Sequence, residues 1–512
     1  MSVLSVPLPS SARALRLEFK RNAMPYVLPL LAAVFYFDAL RTADGFPPVW
    51  TLRASVIGDH MLFTFSAFAG GLAAWTGSRE GRRNTLDLVA STPRAAWARL
   101  SVALAGTLCW VLLAFVAGVA VVYIQTALQA TWGGPPLWPV FVGAAGVTAV
   151  TVIGFTAGVF FPGRFTAPLV AIGVLLLSQI GFRESLNLTA SSGTYALLSP
   201  TTSPPAVDAG VYYPVAPDLS ITQVMFMGGI AVALYGLLGL APGLRQLAWA
   251  GGRPSLRAAL ARGDDWLPSA VAVLLVACGV AASATAFALA GTAKPDALGG
   301  WQIPALHSAA SDQPVPAAQD CTSGSGFQVC VHPAFGFYLA DVAAALDPVA
   351  AEIAGLPGAP VGAREVASTS GGQEVWSGIV GNPPVFQFTA DRVGPTFGDF
   401  YGMPDPAGWR DGFRQGLLEA ILELPSHSTV PVPLDAAQQA VEDVLLTSVG
   451  SPPLGASSGQ TAVNGKLKPA RLADISVAAH RFGALSASAR HAWLATHLAA
   501  LRAGHVTLAQ LP

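Results

Sequence analysis

The stretch Ser78–Leu100, SREGRRNTLDLVASTPRAAWARL, decides how the chain is read. It lies between two long hydrophobic runs and carries five arginines, Arg79, Arg82, Arg83, Arg94 and Arg99, against Glu80 and Asp87. Cationic side chains this close to two membrane spans are strongly biased to the cytoplasmic side. On a helix, Leu86, Val89 and Ala90 share one face while Arg82, Arg83 and Asp87 point elsewhere. Thr92 is placed to cap a new helix with Pro93 at its first position, so the chain turns there and re-enters the bilayer. A short helix held between two spans can pass force from a soluble partner into the membrane. The plainer reading is a positively charged loop that only sets topology.

Outward from this stretch, the composition is that of a membrane protein. Of 512 residues, 53% are hydrophobic and only 11% charged, where about a quarter would be charged in a soluble protein. A net charge of −1 gives no general argument for nucleic acid. Seven apolar runs approach or exceed the ~20 residues needed to cross a bilayer: 24–40, 56–77, 101–127, 139–161, 166–182, 221–242 and 267–291. The first is interrupted by Pro25 and Pro29. With the N-terminus inside, the cytosolic segments carry fourteen basic residues and the short outer loops three, Arg41, Arg53 and Arg183. That asymmetry sets the orientation, and an odd number of spans then puts the chain after residue 292 outside. Asp38, Asp59 and His60 fall near outer ends of spans, where water or headgroups are within reach. Small residues recur at Gly70-Gly71, Ala73-Ala74, Gly154 and Ala157-Gly158, and they permit close helix packing.

Glu80, then Arg83-Asn84-Thr85-Leu86-Asp87-Leu88, then Ser91-Thr92-Pro93, resembles the E-x-x-x-G-T-L-(E/D)-L-L-(x)-S/T-P pattern in membrane subunits of type 2 ATP-binding-cassette (ABC) exporters. Asn84 stands where glycine is common, and Asn tolerates much the same backbone conformations. The resemblance covers about residues 11–245. It implies that Arg79, Glu80, Arg82, Arg83, Leu86, Asp87 and Pro93 belong to a coupling helix docked on a cytosolic ATPase. It also implies that ATP and Mg bind to that separate chain, that a second permease copy completes a dimer, and that the cargo is amphipathic, lipid-like, peptide or drug-like. In the family, an amphipathic helix before the first span also touches the ATPase. Residues 11–22, with Leu15 and Phe19 among Arg13, Arg16, Lys20 and Arg21, fit such a surface-lying helix.

The expected organisation is an all-α polytopic membrane bundle followed by an α+β domain. Its parts are an interface helix (1–23), a six-span permease (24–242), a basic linker (243–265), a seventh span (266–292) and an extracytoplasmic domain (293–512). The expected location is the bacterial plasma membrane. The seventh span and its domain depart from the basic family plan. Within 293–512 the pattern predicts helices at 338–356, 408–424, 435–448, 470–482 and 487–502, and strands near 361–367, 374–380 and 384–390. Ser486 and Ser488 offer caps for the last helix and Gly504 ends it. Cys321 and Cys330, on the oxidising side, predict a disulfide closing a short Ser/Gly-rich loop. Cys109 and Cys278 sit in spans as small apolar residues.

No catalytic or metal site is expected. Seven of eight histidines lie in 293–512, but no H-E-x-x-H places two of them on one helical face. His491 and His497 are six apart, and the helix bearing Glu419 and Glu423 has no histidine. Gly459–Lys466 has five residues between its glycines and Leu467 where a P-loop has Ser or Thr. No G-x-S-x-G elbow presents a nucleophile. Two other readings stay open: an anchored sensor or interaction module displaying a ligand-binding domain to an extracellular partner, and a surface peptidase distantly similar to gluzincin aminopeptidases.

Overall fold

A computed structural model describes residues 10–21, 24–37, 46–58, 62–83, 85, 95–185, 193–198, 208–249, 266–296, 300–323, 326–367, 369–370, 373–374, 378–389, 408–422, 434–453 and 469–512. The N-terminal helices are α1 (Ser10–Arg21), α2 (Met24–Phe35), α3 (Trp50–Val56), α4 (Leu62–Gly77) and the single turn α5 (Arg79–Arg82). The long helices α6 (Ala96–Ala127), α7 (Trp138–Phe160), α8 (Thr166–Ser185), α9 (Asp218–Trp249) and α10 (Trp266–Ala290) complete a bundle. Their ends follow local chemistry. Pro139 sits in the first turn of α7, where its missing N–H costs nothing, and Pro162 follows Phe161 at the far end, where the helix cannot continue.

Among the described residues, six helices are long and apolar enough to cross a membrane, the set of a multi-pass membrane protein. Five coincide with runs read from the sequence: α6, α7, α8, α9 and α10. The sixth, Pro333–Ile353, belongs to the C-terminal domain. Its Val342, Ala345, Leu346, Val349, Ala350 and Ile353 form one buried stripe, while Asp341 is exposed. A one-sided stripe is the mark of a helix packed on a globular core. The two remaining runs are present as shorter helices. The first is the 12-residue α2, with Pro29 inside, and the second is the 16-residue α4.

The centre of the bundle is α7. In its apolar window 61% of residues are buried, against 17% in α8 and in α10. It packs on α4 and α9, and α9 packs on α10. A methyl group added at Gly154 would collide with the carbonyl oxygen of Gly70, and one at Gly158 with that of Ala74. The glycines therefore let two backbones meet directly. At the periphery, Leu169, Ile172, Leu176, Leu177 and Ile180 of α8 are exposed. A bilayer turns this face from a liability into the ordinary outer surface.

The C-terminal domain is α+β. A five-stranded sheet has the order β3-β4-β5-β9-β8, formed by Asp320–Ser323, Gln328–Val331, Gly362–Val366, Val385–Thr389 and Gly378–Val380 respectively. The pairs β4–β5 and β5–β9 are parallel and the outer two are antiparallel. Two-residue strands pair as β1 (Lys294–Pro295) with β2 (Trp301–Gln302) and β6 (Thr369–Ser370) with β7 (Gln373–Glu374). Helices α11 (Leu339–Ile353), α12 (Gly408–Leu422), α13 (Ala436–Ser448), α14 (Pro469–Gly483) and α15 (Ala487–Arg502) follow. Phe386, Phe388 and Phe413 meet in the core between sheet and α12. Asp435 and Gln438 build a capping box on α13. Ser486, and not Ser488, caps α15 by accepting from Ala489 N–H, and Gly504 at φ 67° closes its far end.

Three readings are refined. Residues 243–249, read as the start of a linker, are the last turns of α9, while 250–265 lie outside the described residues. Arg53, read as an outer-loop cation, is buried in α3 and donates through Nε and Nη2 to Phe46 O at 3.3 Å. The loop between the cysteines is flanked by a regular β3–β4 hairpin.

The glycine contacts give a graded prediction. Gly154→Ala should lower stability by about 1–3 kcal/mol, the usual cost of overpacking a close interface. Gly173→Ala, where nothing lies within 4 Å, should be neutral or stabilising by up to about 1 kcal/mol. Thermal unfolding of the two purified variants in one detergent measures the contrast.

Candidate functional site

The segment singled out from the sequence lies where α4, α6 and α1 converge. Arg79 Nη1 donates to Glu18 Oε1 at 2.8 Å, joining α5 to α1 across the chain. The same helix is held by Trp110, which stacks on Phe19 at 4.2 Å between ring centroids and donates its Nε1–H to Phe19 O. Arg82 lies over Trp75 at 3.3 Å from the ring centroid and donates to Trp75 O at 2.9 Å. Ser78 Oγ donates to that same carbonyl. Both contacts satisfy an oxygen at the end of α4 that has no helical partner. Glu80 is half-buried and Arg83 exposed, whereas Leu86, Asp87 and Pro93 lie outside the described residues. Arg79 and Arg82 thus contact the chain's own bundle, at Glu18 of α1 and Trp75 of α4.

A second polar assembly sits at the other end of α6. That helix has 32 residues, about 48 Å at 1.5 Å per residue, so its two ends are well separated. Beyond its C-terminus, Thr131 Oγ1 donates to Pro333 O, and Trp132 meets the His332 ring edge-on at 4.7 Å. From the segment before α9, the Tyr212 ring also lies against His332, tilted, at 4.9 Å between centroids, and Tyr212 accepts Val315 N–H through its carbonyl at 2.7 Å. Asp218, in the first turn of α9 and buried, accepts Ile303 N–H at 3.0 Å and contacts His307 Nδ1 at 3.1 Å. His307 Nε2 reaches Asp312 Oδ1 at 3.1 Å.

The chain places these groups for local reasons. Strand β4 ends at Val331, and His332 opens the next turn by accepting Ala334 N–H at Nδ1, which leaves the ring proton on Nε2. Glu365, near the end of the parallel strand β5, accepts His332 N–H at 2.8 Å. The Tyr212 and Tyr338 hydroxyls face the same carboxyl. Burial pushes Glu365 up to about 8, more than its hydrogen bonds offset. Burial, then the charges of Glu365 and Asp208, raises Tyr212. Burial pulls His332 down to about 4 against the pull of Asp320. For His307, burial lowers the pKa, but hydrogen bonds to Asp312 and Asp218 outweigh it and leave it raised.

Among the described residues no group of three His, Cys, Asp or Glu side chains is placed to hold a metal. His491 Nε2 faces Ala354 O, and His497 stacks on Trp493 at 4.6 Å. Glu419 accepts from Gln415, while Glu423 and the glycine-rich 459–466 lie outside the described residues. Cys321 and Cys330 are joined as a cross-strand pair of the β3–β4 hairpin; Cys109 and Cys278 are free and exposed. Tyr212, Asp218, His307, His332 and Glu365 were not singled out by sequence. The one local sign was an acidic residue, Asp218, immediately before an apolar run. No protein-family model, curated protein or solved structure matches the chain.

Removing the Asp218 carboxyl leaves a buried backbone N–H and a histidine without their acceptor, at about 1–3 kcal/mol for each group. Asp218→Ala should therefore destabilise the full chain strongly. Asp312→Ala, at a side chain 62% exposed, should cost well under about 1 kcal/mol. Thermal unfolding of both variants at neutral pH checks the order.

Proposed function

We propose that this chain is the membrane subunit of an ATP-driven exporter that borrows its ATPase, in the manner of the type 2 ABC exporters its hairpin resembles. The observation that carries the reading is the Arg79–Glu18 contact between α5 and α1. The two elements assigned to ATPase contact by the resemblance form one connected patch, backed by the long helix α6 through Trp110. Force applied to such a patch moves α6 as a rigid rod, because a helix transmits displacement along its hydrogen-bonded axis. ATP and Mg act on the partner chain. A second permease copy, cytosolic placement of the hairpin and an amphipathic cargo belong to the same proposal. Exposed apolar side chains along α8 fit lipid contact or a second copy equally.

The test is co-purification from the native membrane. A partner carrying Walker A and B motifs should accompany the wild-type chain. The double change Glu80→Lys, Asp87→Lys should reduce its recovery about tenfold or more, equivalent to about 1.4 kcal/mol of association free energy. Isolation of the intact chain with no such partner, in the presence of ATP and a hydrolysis inhibitor, would discard the reading.

A further inference from the structure

The segment 208–218 is short, yet among the described residues it supplies two polar attachments between the bundle and the C-terminal domain, beside the Thr131–Pro333 contact beyond α6. At one end Tyr212 gives its carbonyl to Val315 N–H and its ring and hydroxyl to the His332–Glu365 cluster. At the other, Asp218 gives its carboxyl to Ile303 N–H and His307. Among the described residues, the titratable groups that bear on these contacts around Glu365 are His332 after β4, Tyr338 in the turn before α11, and Tyr212 and Asp208 from the segment itself; Asp320 of β3 bears on His332. On its own strand, the neighbouring Arg364 is exposed. Around His307 they are Asp218 and Asp312.

We propose that residues 208–218 form a proton-operated clasp, fastening the C-terminal domain to the end of the bundle in acid and releasing it in alkali. The geometry requires it in two independent places. The Glu365 carboxyl is buried with Tyr212 and Trp132 closing the bundle side of its cluster. As an anion it would be buried close to Asp208, a cost that the hydrogen bonds from His332 N–H, Tyr338 and Tyr212 do not offset, so ionisation favours withdrawal of the covering loop. His307 stands between two carboxyls, and only its protonated ring donates to both.

The signs agree. The raised value of Glu365 means that its contribution to closure is fully present below the ordinary carboxyl range and lost as pH rises through about 8. The raised value of His307 means that its contribution is present below the ordinary histidine value and lost as pH rises above it. His332, held neutral, works the other way, its contribution being lost as pH falls from the ordinary histidine value through about 4. Between neutrality and moderate alkali, therefore, both attachments loosen together. None of this depends on the exporter reading.

Hydrogen exchange of the full chain in lipid nanodiscs, corrected for the intrinsic pH dependence of exchange, tests the clasp. Protection of peptides covering 208–218 and 300–312 should fall by up to about tenfold per pH unit for each proton released as pH is raised from neutrality to about 8, the Glu365 part levelling off above it. Protection of α13 and α15 should stay constant. Glu365→Gln, a fixed neutral mimic, should keep 208–218 protected in alkali, and His307→Gln should release 300–312 already at neutral pH. If Glu365→Gln loses protection in α15, and so does not fold, Tyr212→Phe replaces it and should move the opening midpoint of 208–218. Protection of both segments that does not change with pH overturns the proposal. So does loss that spreads equally to α15, or a midpoint that neither variant moves.

Discussion

The direct meeting of α4 and α7 backbones is the contact on which the rest of the bundle depends. Apolar side chains gain nothing by leaving lipid for one another, so helices in a membrane are held by close fit and not by water exclusion. Gly154 and Gly158 permit that fit against Gly70 and Ala74. Once α4 is seated on α7, the other face of α7 is left to α9, and α9 receives α10. The peripheral helices keep large apolar side chains outward because nothing inside needs them.

With helix packing so uniform, polar groups at the two ends of the bundle give it direction. At one end two arginines terminate α4 and hold α1. At the other, carboxyls and histidines join α9 and the segment before it to the C-terminal domain. A buried carboxyl or imidazole left unpaired costs far more than a mismatched methyl, so these few contacts fix the relation of domain to bundle more strictly than the surrounding apolar surface does. The two ends are joined by the unbroken α6, which links the α1–α5 contact to the C-terminal domain within one element.

The C-terminal domain owes its stability to ordinary means: a sheet covered by α11 and α12, capped helices, and a disulfide across the β3–β4 hairpin. His332 follows the end of β4 and Glu365 lies one residue before the end of β5, the edge at which open α/β sheets generally present functional groups. Here that edge is covered by Trp132 and Tyr212 from the bundle, so what would otherwise be a mouth is a joint.

Composition and hydrophobic run length determined by themselves that the chain is a helical membrane bundle with an α+β domain, and placed most helices of that domain within a few residues. They could do so because length, apolarity and capping are local properties, as with Asp435 at α13 and Ser486 at α15. Length and mean hydropathy alone would admit Pro333–Ile353 as a span; the sequence pattern reads 338–356 as a helix of the C-terminal domain, and its one-sided buried stripe agrees. No local measure could show that Arg53, Arg79 and Arg82 are engaged internally, because their partners Phe46, Glu18 and Trp75 are chosen by packing. The grouping of Tyr212, Asp218, His307, His332 and Glu365 joins residues as far apart in the chain as 212 and 365. No periodicity or motif marks such a set, and only the tertiary structure, by burying them together away from water, gives their protons a shared consequence.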